Sequence, residues 1–147
     1  MDINELSPLE VFSYFQEICA IPHGSGNTGM IADYCLEFAK LHGLKARKDT
    51  SDNVVIFKAG SSGYEDREPV ILQGHLDMVC EKQPDSDIDM SVQSIKACTD
   101  GKMVWADGTT LGADDGIAVA FILAVLASDT IAHPPIQAVL TSDEEIG

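Results

Sequence analysis

The segment EPVILQGHLD, residues 68–77, constrains the fold more than any other part of this sequence. Its apolar residues form a nearly continuous run, which is typical of a strand buried on both faces of a sheet. Three more strands are predicted at LKARKD, at NVVIFKAG and at IQAVLTSDEEIG, whose apolar run leads into an acidic end. A sheet with a doubly buried strand needs helices to cover it.

The first segment with helical periodicity is SPLEVFSYFQEICAI, near the start of the chain. It opens with a predicted capping box, in which Ser7 caps the helix, Pro8 takes the first helical position and Glu10 reaches back. The predicted buried face consists of Val11, Phe12, Phe15 and Ile18.

Two further helices and a hairpin complete the predicted elements. The second helix runs from about residue 28 to residue 42, and Gly43 ends it. The third is the strongly apolar segment DDGIAVAFILAVLAS, which is too short to span a bilayer. The dipeptides at 100–101 and 107–108 are both Asp-Gly and predict turns on either side of KMVWA. Strands that alternate with helices predict an α/β fold.

The net charge narrows the range of partners. The 147 residues include 24 acidic and 9 basic side chains, which give a formal net charge of −15. Such a surface repels phosphates, so it argues against nucleic acid and anionic membranes as partners and favours small cations. An acidic surface also raises solubility, so the charge alone does not establish a cation site.

The cysteines and the first residues of the chain favour the cytoplasm. The four cysteines are far apart and form no CxxC pair; they are Cys19, Cys35, Cys80 and Cys98. We expect reduced thiols at these positions. The initial segment DINELSPLE lacks the basic and apolar regions of a secretory leader. We therefore predict a cytoplasmic protein.

The segment GSGNTG, residues 24–29, fits the GxGxxG pattern of dinucleotide-binding loops. That pattern requires a strand before the glycines, whereas the predicted element before this segment is a helix. We therefore predict no cofactor-binding residues here and interpret the segment as a flexible loop between two helices.

Three polar clusters stand at the ends or starts of apolar elements. They are His75 and Asp77, Asp114 and Asp115, and the group Asp143, Glu144 and Glu145. Ligand sites of open α/β sheets lie at the carboxyl ends of the strands, so we expect these clusters to converge. Each cluster alone also has a structural explanation: a strand-end histidine bonded to a carbonyl, carboxylates at a helix N-terminus, or a solvated acidic turn.

Together the clusters have the composition of a metal site. One imidazole and several carboxylates suit zinc, manganese or cobalt better than calcium, which prefers oxygen ligands alone. Asp77 lies on the same strand face as His75 and can orient it. One of the adjacent glutamates can bind metal while the other acts as a general base, and an aspartate such as Asp114 can bridge two ions.

The motifs GHLDMV, LGADDGI and TSDEEIG, in this order, resemble the metal-binding signatures of the co-catalytic dizinc peptidases related to carboxypeptidase G, aminoacylase and peptidase T. The segments IPHGSGN and LGADDGIAVA make the chain most similar to the bacterial aminoacyl-histidine dipeptidases, also called peptidase D or cytosol nonspecific dipeptidases. The resemblance extends from about residue 7 to residue 147.

The resemblance implies a role for each matching residue. His75 binds one metal ion, Asp114 bridges both ions and Glu145 binds the second. Asp77 supports His75, and Glu144 is the catalytic general base and acid. It also implies a cis peptide bond between Asp114 and Asp115, and two divalent ions, zinc by expectation with manganese or cobalt as alternatives.

The resemblance further implies a three-layer α/β/α fold with a mixed central sheet. Residues 1–147 then form the N-terminal part of a metallopeptidase catalytic domain, while a dimerisation or lid domain and further metal ligands lie outside this segment. The expected activity of the parent, a homodimer, is hydrolysis of dipeptides, Xaa-His among them, and the 147 residues alone are expected to be inactive.

Three alternatives to this interpretation stay open at the level of sequence. A related aminoacylase or tripeptidase shares most of the motifs. A noncatalytic metal-binding or partner-binding module would keep the motifs without turnover. A structural dimerisation fragment would associate through exposed sheet edges.

Overall fold

The computed structural model describes residues 2–147, which form three α-helices and six strands. The helices are α1 (Leu9–Cys19), α2 (Gly29–Leu41) and α3 (Ala113–Ala127), and the strands are β1 (Lys45–Lys48), β2 (Val54–Lys58), β3 (Val70–His75), β4 (Ala97–Thr99), β5 (Val104–Ala106) and β6 (Ile136–Thr141). Short 3-10 helices span Ile3–Glu5 and Glu144–Ile146.

The main sheet has four strands in the order β1-β2-β6-β3. β2 is antiparallel to both β1 and β6, whereas β3 runs parallel to β6. The sheet is therefore mixed, as predicted. β4 and β5 form a separate antiparallel hairpin at the predicted position.

One face of the sheet carries the core. Val54, Ile56, Ala138 and Leu140 point to this face and are almost completely buried. α2 packs against β1 and β2, α3 packs against β3, and α1 packs against α3. All these elements contribute to one continuous apolar cluster, so the helices of the described residues cover a single face.

The opposite face of the sheet carries Val55, Phe57 and Val139, which are half-buried, and Ile71, which is exposed. None of them belongs to the apolar cluster, and no helix in residues 2–147 covers this face. The predicted α/β class with a mixed sheet is confirmed, and the described residues supply two of the three predicted layers.

The prediction that β3 is buried on both faces is wrong. Val70 is 42% exposed and Ile71 is 64% exposed, and only Gly74 and His75 are buried. The reason is the strand order, which makes β3 an edge strand with β6 as its one neighbour in the described sheet. Burial begins at the carboxyl end of the strand, where Asp115, Val119 and Ile122 of α3 lie against Gly74.

The predicted capping box of α1 is also wrong. Pro8 is the N-cap with extended backbone, the helix begins at Leu9, and no side chain caps its first turn. The Phe12 amide donates to the Pro8 carbonyl, so the first helical turn starts one residue later than predicted. Val11, Phe15 and Ile18 are buried as predicted, whereas Phe12 is only half-buried.

The end of α2 follows the prediction. Gly43 has φ of +66°, a conformation that glycine adopts without the steric cost that a Cβ would impose. The Leu44 amide then donates to the Ala39 carbonyl, which closes the helix end. None of the helices within residues 2–147 is long and apolar enough to cross a bilayer.

Candidate metal centre

His75 is the last residue of β3 and carries the one imidazole of the site. Its Nδ1 lies 3.0 Å from the backbone carbonyl of Asp77, and its Nε2 lies 3.1 Å from Oδ1 of Asp114. Because a carbonyl can only accept a hydrogen bond, Nδ1 carries a proton. Nε2 is therefore the nitrogen that can bind a metal, and the backbone fixes its direction.

The start of α3 brings two aspartates to the same end of the sheet. The peptide bond between Asp114 and Asp115 is cis, as the resemblance implies. The two side chains diverge: Asp114 is 86% exposed, whereas Oδ2 of Asp115 accepts a hydrogen bond from the backbone N–H of His75 at 3.2 Å. A Cβ at position 74 would lie 3.0 Å from this carboxylate, so Gly74 permits the close approach of α3.

The turn after β6 supplies the remaining carboxylates. Asp143 has φ of +57°, and the 3-10 helix that follows it begins with Glu144 and Glu145. One ligand atom each from His75, Asp114 and Glu145 lies within 4.8 Å of the other two. Glu144 is next to this cluster, with Oε2 at 3.9 Å from Nε2 of His75.

The carboxylate of Asp77 is completely buried and faces both His75 and the turn after β6. Its Oδ1 is 3.4 Å from Nδ1 of His75, farther away than the residue's own backbone carbonyl. The carboxylate accepts hydrogen bonds from the backbone N–H groups of Glu144 at 2.9 Å and Glu145 at 3.2 Å. Asp77 thus orients His75 mainly through its carbonyl, and its side chain fixes residues 143–145, the glutamate turn.

The hydrogen bonds of Asp77 also determine its charge. Burial raises the pKa of this carboxyl, but the hydrogen bonds from Ser25 and from the amides of Glu144 and Glu145 outweigh burial and lower the pKa below its usual value. Asp77 is therefore ionised at neutral pH although the protein encloses it.

The charges around His75 shift its pKa in the opposite direction. Burial lowers the pKa, but the hydrogen bonds to Asp114 and to the Asp77 carbonyl, together with the charges of Asp115 and Asp77, raise it overall. A cation at Nε2 is thus favoured by the surrounding carboxylates. A proton is one such cation, and a divalent ion is a better match for several converging carboxylates.

The donor set fits a divalent transition metal. One imidazole nitrogen with carboxylate oxygens suits zinc, manganese or cobalt, and the exposed Asp114 and half-buried Glu145 side chains can rotate toward a shared ion. Within residues 2–147 this is the one group of at least three His, Cys, Asp or Glu side chains with ligand atoms so close together.

The sequence interpretation missed Ser25. Its Oγ donates to Oδ2 of Asp77 at 2.7 Å, and the neighbouring Gly26 amide donates to the Asp143 carboxylate at 2.7 Å. The sequence predicts a flexible loop between two helices here, yet the segment contacts both Asp77 and Asp143. The available signal was the segment IPHGSGN, which carried part of the family resemblance.

Comparisons with known proteins agree with that resemblance. No protein-family profile matches the chain. The cytosol non-specific dipeptidase of Escherichia coli (strain K12) is 42% identical over 146 residues, which is 99% of this chain and 30% of that protein. The crystal structure of aminoacylhistidine dipeptidase from Vibrio alginolyticus superimposes with a TM-score of 0.97 at 44% identity, over 100% of this chain and 30% of that one.

Two more distant structures share the fold. A tripeptidase from Staphylococcus aureus has a TM-score of 0.76 at 26% identity, over 97% of this chain and 38% of that one. The aminopeptidase PepT from Bacillus cereus has a TM-score of 0.77 at 18% identity, with the same coverage. The chain is therefore similar, over its whole length and in both sequence and structure, to a segment of the cytosol non-specific and aminoacylhistidine dipeptidases.

Proposed function

We propose that this chain is part of the catalytic domain of a metal-dependent dipeptidase. The observation that carries the proposal is the convergence of His75, Asp114 and Glu145, whose ligand atoms lie within 4.8 Å of one another, with Glu144 beside them. The similarity to two dipeptidases over the entire chain supports the same conclusion.

The proposed cofactors are two divalent ions, zinc with manganese or cobalt as alternatives. His75 would hold one ion and Glu145 the other, and Asp114 would help to hold both. Asp77 binds neither ion, because its carboxylate is already occupied by hydrogen bonds from Ser25 and the glutamate turn.

The proposed reaction is hydrolysis of a peptide bond. Bound divalent ions supply Lewis acidity, which polarises the peptide carbonyl and makes water easier to deprotonate. Glu144 accepts the proton of the attacking water and later donates it to the leaving amine. Its side chain is 58% exposed, so an incoming substrate and its attacking water can reach the carboxylate.

Dipeptides, Xaa-His among them, are the proposed substrates. The acidic surface attracts the free amino terminus of a dipeptide and argues against nucleic acid as a ligand. The free thiols and the relation to a cytosol dipeptidase support a cytoplasmic location. We further propose a homodimer for the longer protein, by analogy with the family.

The chain spans 30% of the length of both dipeptidases. We therefore propose that turnover needs parts of a longer protein beyond these 147 residues, including further metal ligands and a dimerisation domain. The test is hydrolysis of a histidine-containing dipeptide with added zinc, manganese or cobalt, by the chain and by a longer protein that carries it.

We expect turnover by the longer protein, its loss in the Glu144→Gln variant, and none by the isolated chain. A longer protein that leaves dipeptides intact under all three metals would refute the proposed activity. Turnover by the isolated chain that Glu144→Gln abolishes would show that the 147 residues suffice.

A noncatalytic metal-binding module is the second candidate. Three potential metal ligands lie together within the described residues, although the chain spans only 30% of the length of its relative. A segment of this size could therefore bind metal without the rest of an active site. Metal binding without turnover in the longer protein would identify it. An aminoacylase or tripeptidase activity has less support, since the tripeptidase is only 26% identical.

A further inference from the structure

The loop at residues 23–26 is fastened to the segment that follows β3. The Met78 amide donates to the His23 carbonyl at 3.1 Å, and the Ser25 amide donates to the Met78 carbonyl at 3.3 Å. Gly24 pairs with Met78 in a parallel bridge, and a Cβ at position 24 would lie 2.6 Å from Sγ of Cys80. The loop backbone is therefore held directly beside Asp77.

From this position the loop is connected to the glutamate turn, residues 143–145, once directly and once through Asp77. The Ser25 hydroxyl donates to Oδ2 of Asp77, the oxygen that also accepts from the Glu145 amide. The Gly26 amide donates to the Asp143 carboxylate, which lies just before Glu144. One direct hydrogen bond to Asp143 and one to Asp77, which itself accepts from the turn, thus link the loop to the segment that carries both glutamates.

Of the two hydrogen bonds that Ser25 and Gly26 donate to these carboxylates, only the one from Ser25 comes from a side chain of the loop. The Asp77 carboxylate is fully buried and can rotate about its Cα–Cβ and Cβ–Cγ bonds unless its oxygens are fixed. Two of its donors are amides of the glutamate turn, whereas the hydroxyl belongs to a different element of the fold, the loop at residues 23–26. Hydrogen bonds to a charged acceptor are stronger than neutral ones, so this contact is able to restrict the carboxylate.

We infer that Ser25 is a positioning residue of the metal centre: its hydroxyl fixes the Asp77 carboxylate, which in turn holds Glu144 and Glu145 in register with His75. The expected effect of Ser25 on metal binding rests on the proposed function. The restraint that Ser25 places on the glutamate turn does not depend on any metal.

Two measurements on the 147-residue chain test this role. In the metal-free chain, NMR measures the hydrogen-exchange rates of the Glu144 and Glu145 amides. With cobalt(II) as the probe, titration gives the dissociation constant, and the visible absorption spectrum reports the geometry of the bound ion. The variants are Ser25→Ala, Ser25→Val and Ser25→Thr, of which only Ser25→Thr keeps the hydroxyl.

We expect Ser25→Ala and Ser25→Val to exchange both amides about tenfold faster, to bind cobalt about tenfold more weakly and to change its spectrum. Ser25→Thr should keep the amide exchange rates, the cobalt affinity and the cobalt spectrum of the unaltered chain. The matched control is Ser91→Ala, because the hydroxyl of this exposed serine contacts only Asp89 and should leave them unchanged.

The outcomes separate this inference from the proposed function. Unchanged amide exchange in folded Ser25→Ala would overturn the inference, and so would unfolding of both Ser25→Ala and Ser25→Val, since the hydroxyl would then serve the fold. If neither the unaltered chain nor a longer protein that carries it binds cobalt, the proposed metal site is refuted, while the amide exchange still decides the role of Ser25.

Discussion

The Asp77→Asn substitution tests the interpretation of the buried carboxylate. The asparagine keeps the size of the side chain but replaces one carboxylate oxygen with an amide NH2. The two oxygens of Asp77 face three donors: the Ser25 hydroxyl and the amides of Glu144 and Glu145. The Ser25 hydroxyl can rotate and accept a hydrogen bond from the new NH2 group, whereas a backbone N–H can only donate. Because each oxygen of Asp77 accepts from one amide of the turn, the NH2 group of the asparagine must face the amide of either Glu144 or Glu145, which then has no acceptor.

The magnitude follows from these contacts. A buried donor without an acceptor costs about 1–3 kcal/mol, and the remaining bonds lose the strength that a charged acceptor gives them. We expect the free energy of unfolding to fall by about 2–3 kcal/mol at pH 7. The assay is urea unfolding of the metal-free chain, followed by circular dichroism in the presence of a chelator.

The same substitution should change the pH dependence of stability. Because the pKa of Asp77 is lowered in the folded state, its contribution is present above the unfolded pKa of about 3.9 and is lost as pH falls through the folded value. The difference in the free energy of unfolding between the unaltered chain and Asp77→Asn should therefore become smaller at acidic pH. The control is Asp66→Asn, an exposed position. A loss below about 0.5 kcal/mol at pH 7 would refute the argument, since surface substitutions cause changes of that size.

The remaining predictions concern the metal site. In the isolated chain, Glu145→Gln should weaken zinc binding about tenfold or more by calorimetry, whereas Glu144→Gln should alter it less than about threefold; the reverse order would show that base and ligand have been exchanged. Zinc affinity should fall as pH decreases from about 8 to 6, because the pKa of His75 is raised and its protonated ring does not bind metal. A pH-independent affinity over that range would exclude His75 as a ligand.

The convergence of the site could be predicted because each polar cluster adjoins an apolar segment that the sequence pattern identifies as a strand or a helix. His75 ends β3, Asp114 opens α3 and Glu145 follows β6. The parallel register of β3 and β6 pairs His75 with Thr141, so the two strands end together. The general rule for ligand sites at the carboxyl ends of strands is sufficient for this step.

The burial of β3 could not be predicted, because it depends on neighbours rather than on the strand itself. The apolar residues at the start of β3 are the same whether the strand lies inside a sheet or at its edge. Composition indicates that such a strand can be buried on both faces, and the observed strand order gives it one neighbour and one covered face.

The hydrogen-bond partners of the Asp77 carboxylate could not be predicted from the sequence either. Alternation along a strand places Asp77 on the face of His75 and suggests contact between the two side chains. The nearer partners of the carboxylate are amides 67 and 68 residues later and a hydroxyl 52 residues earlier. Local spacing carries no information about such long-range hydrogen bonds.

The capping error at α1 has a local cause. Ser7 and Glu10 have the spacing of a capping box, but Pro8 takes the N-cap position with extended backbone. The sequence pattern is compatible with helix starts at either Pro8 or Leu9, and helix ends are commonly uncertain by one or two residues.

The central claim is that His75, Asp114 and Glu145 form a metal centre, and metal content measures it most directly. Native mass spectrometry of the purified 147-residue chain with added zinc should detect bound metal, and His75→Ala should lower the bound fraction while the variant stays folded. The matched control is His42→Ala, since His42 is an exposed residue at the end of α2. A zinc content that is the same in His75→Ala, or no bound zinc either in the chain or in a longer protein that carries it, would contradict the account.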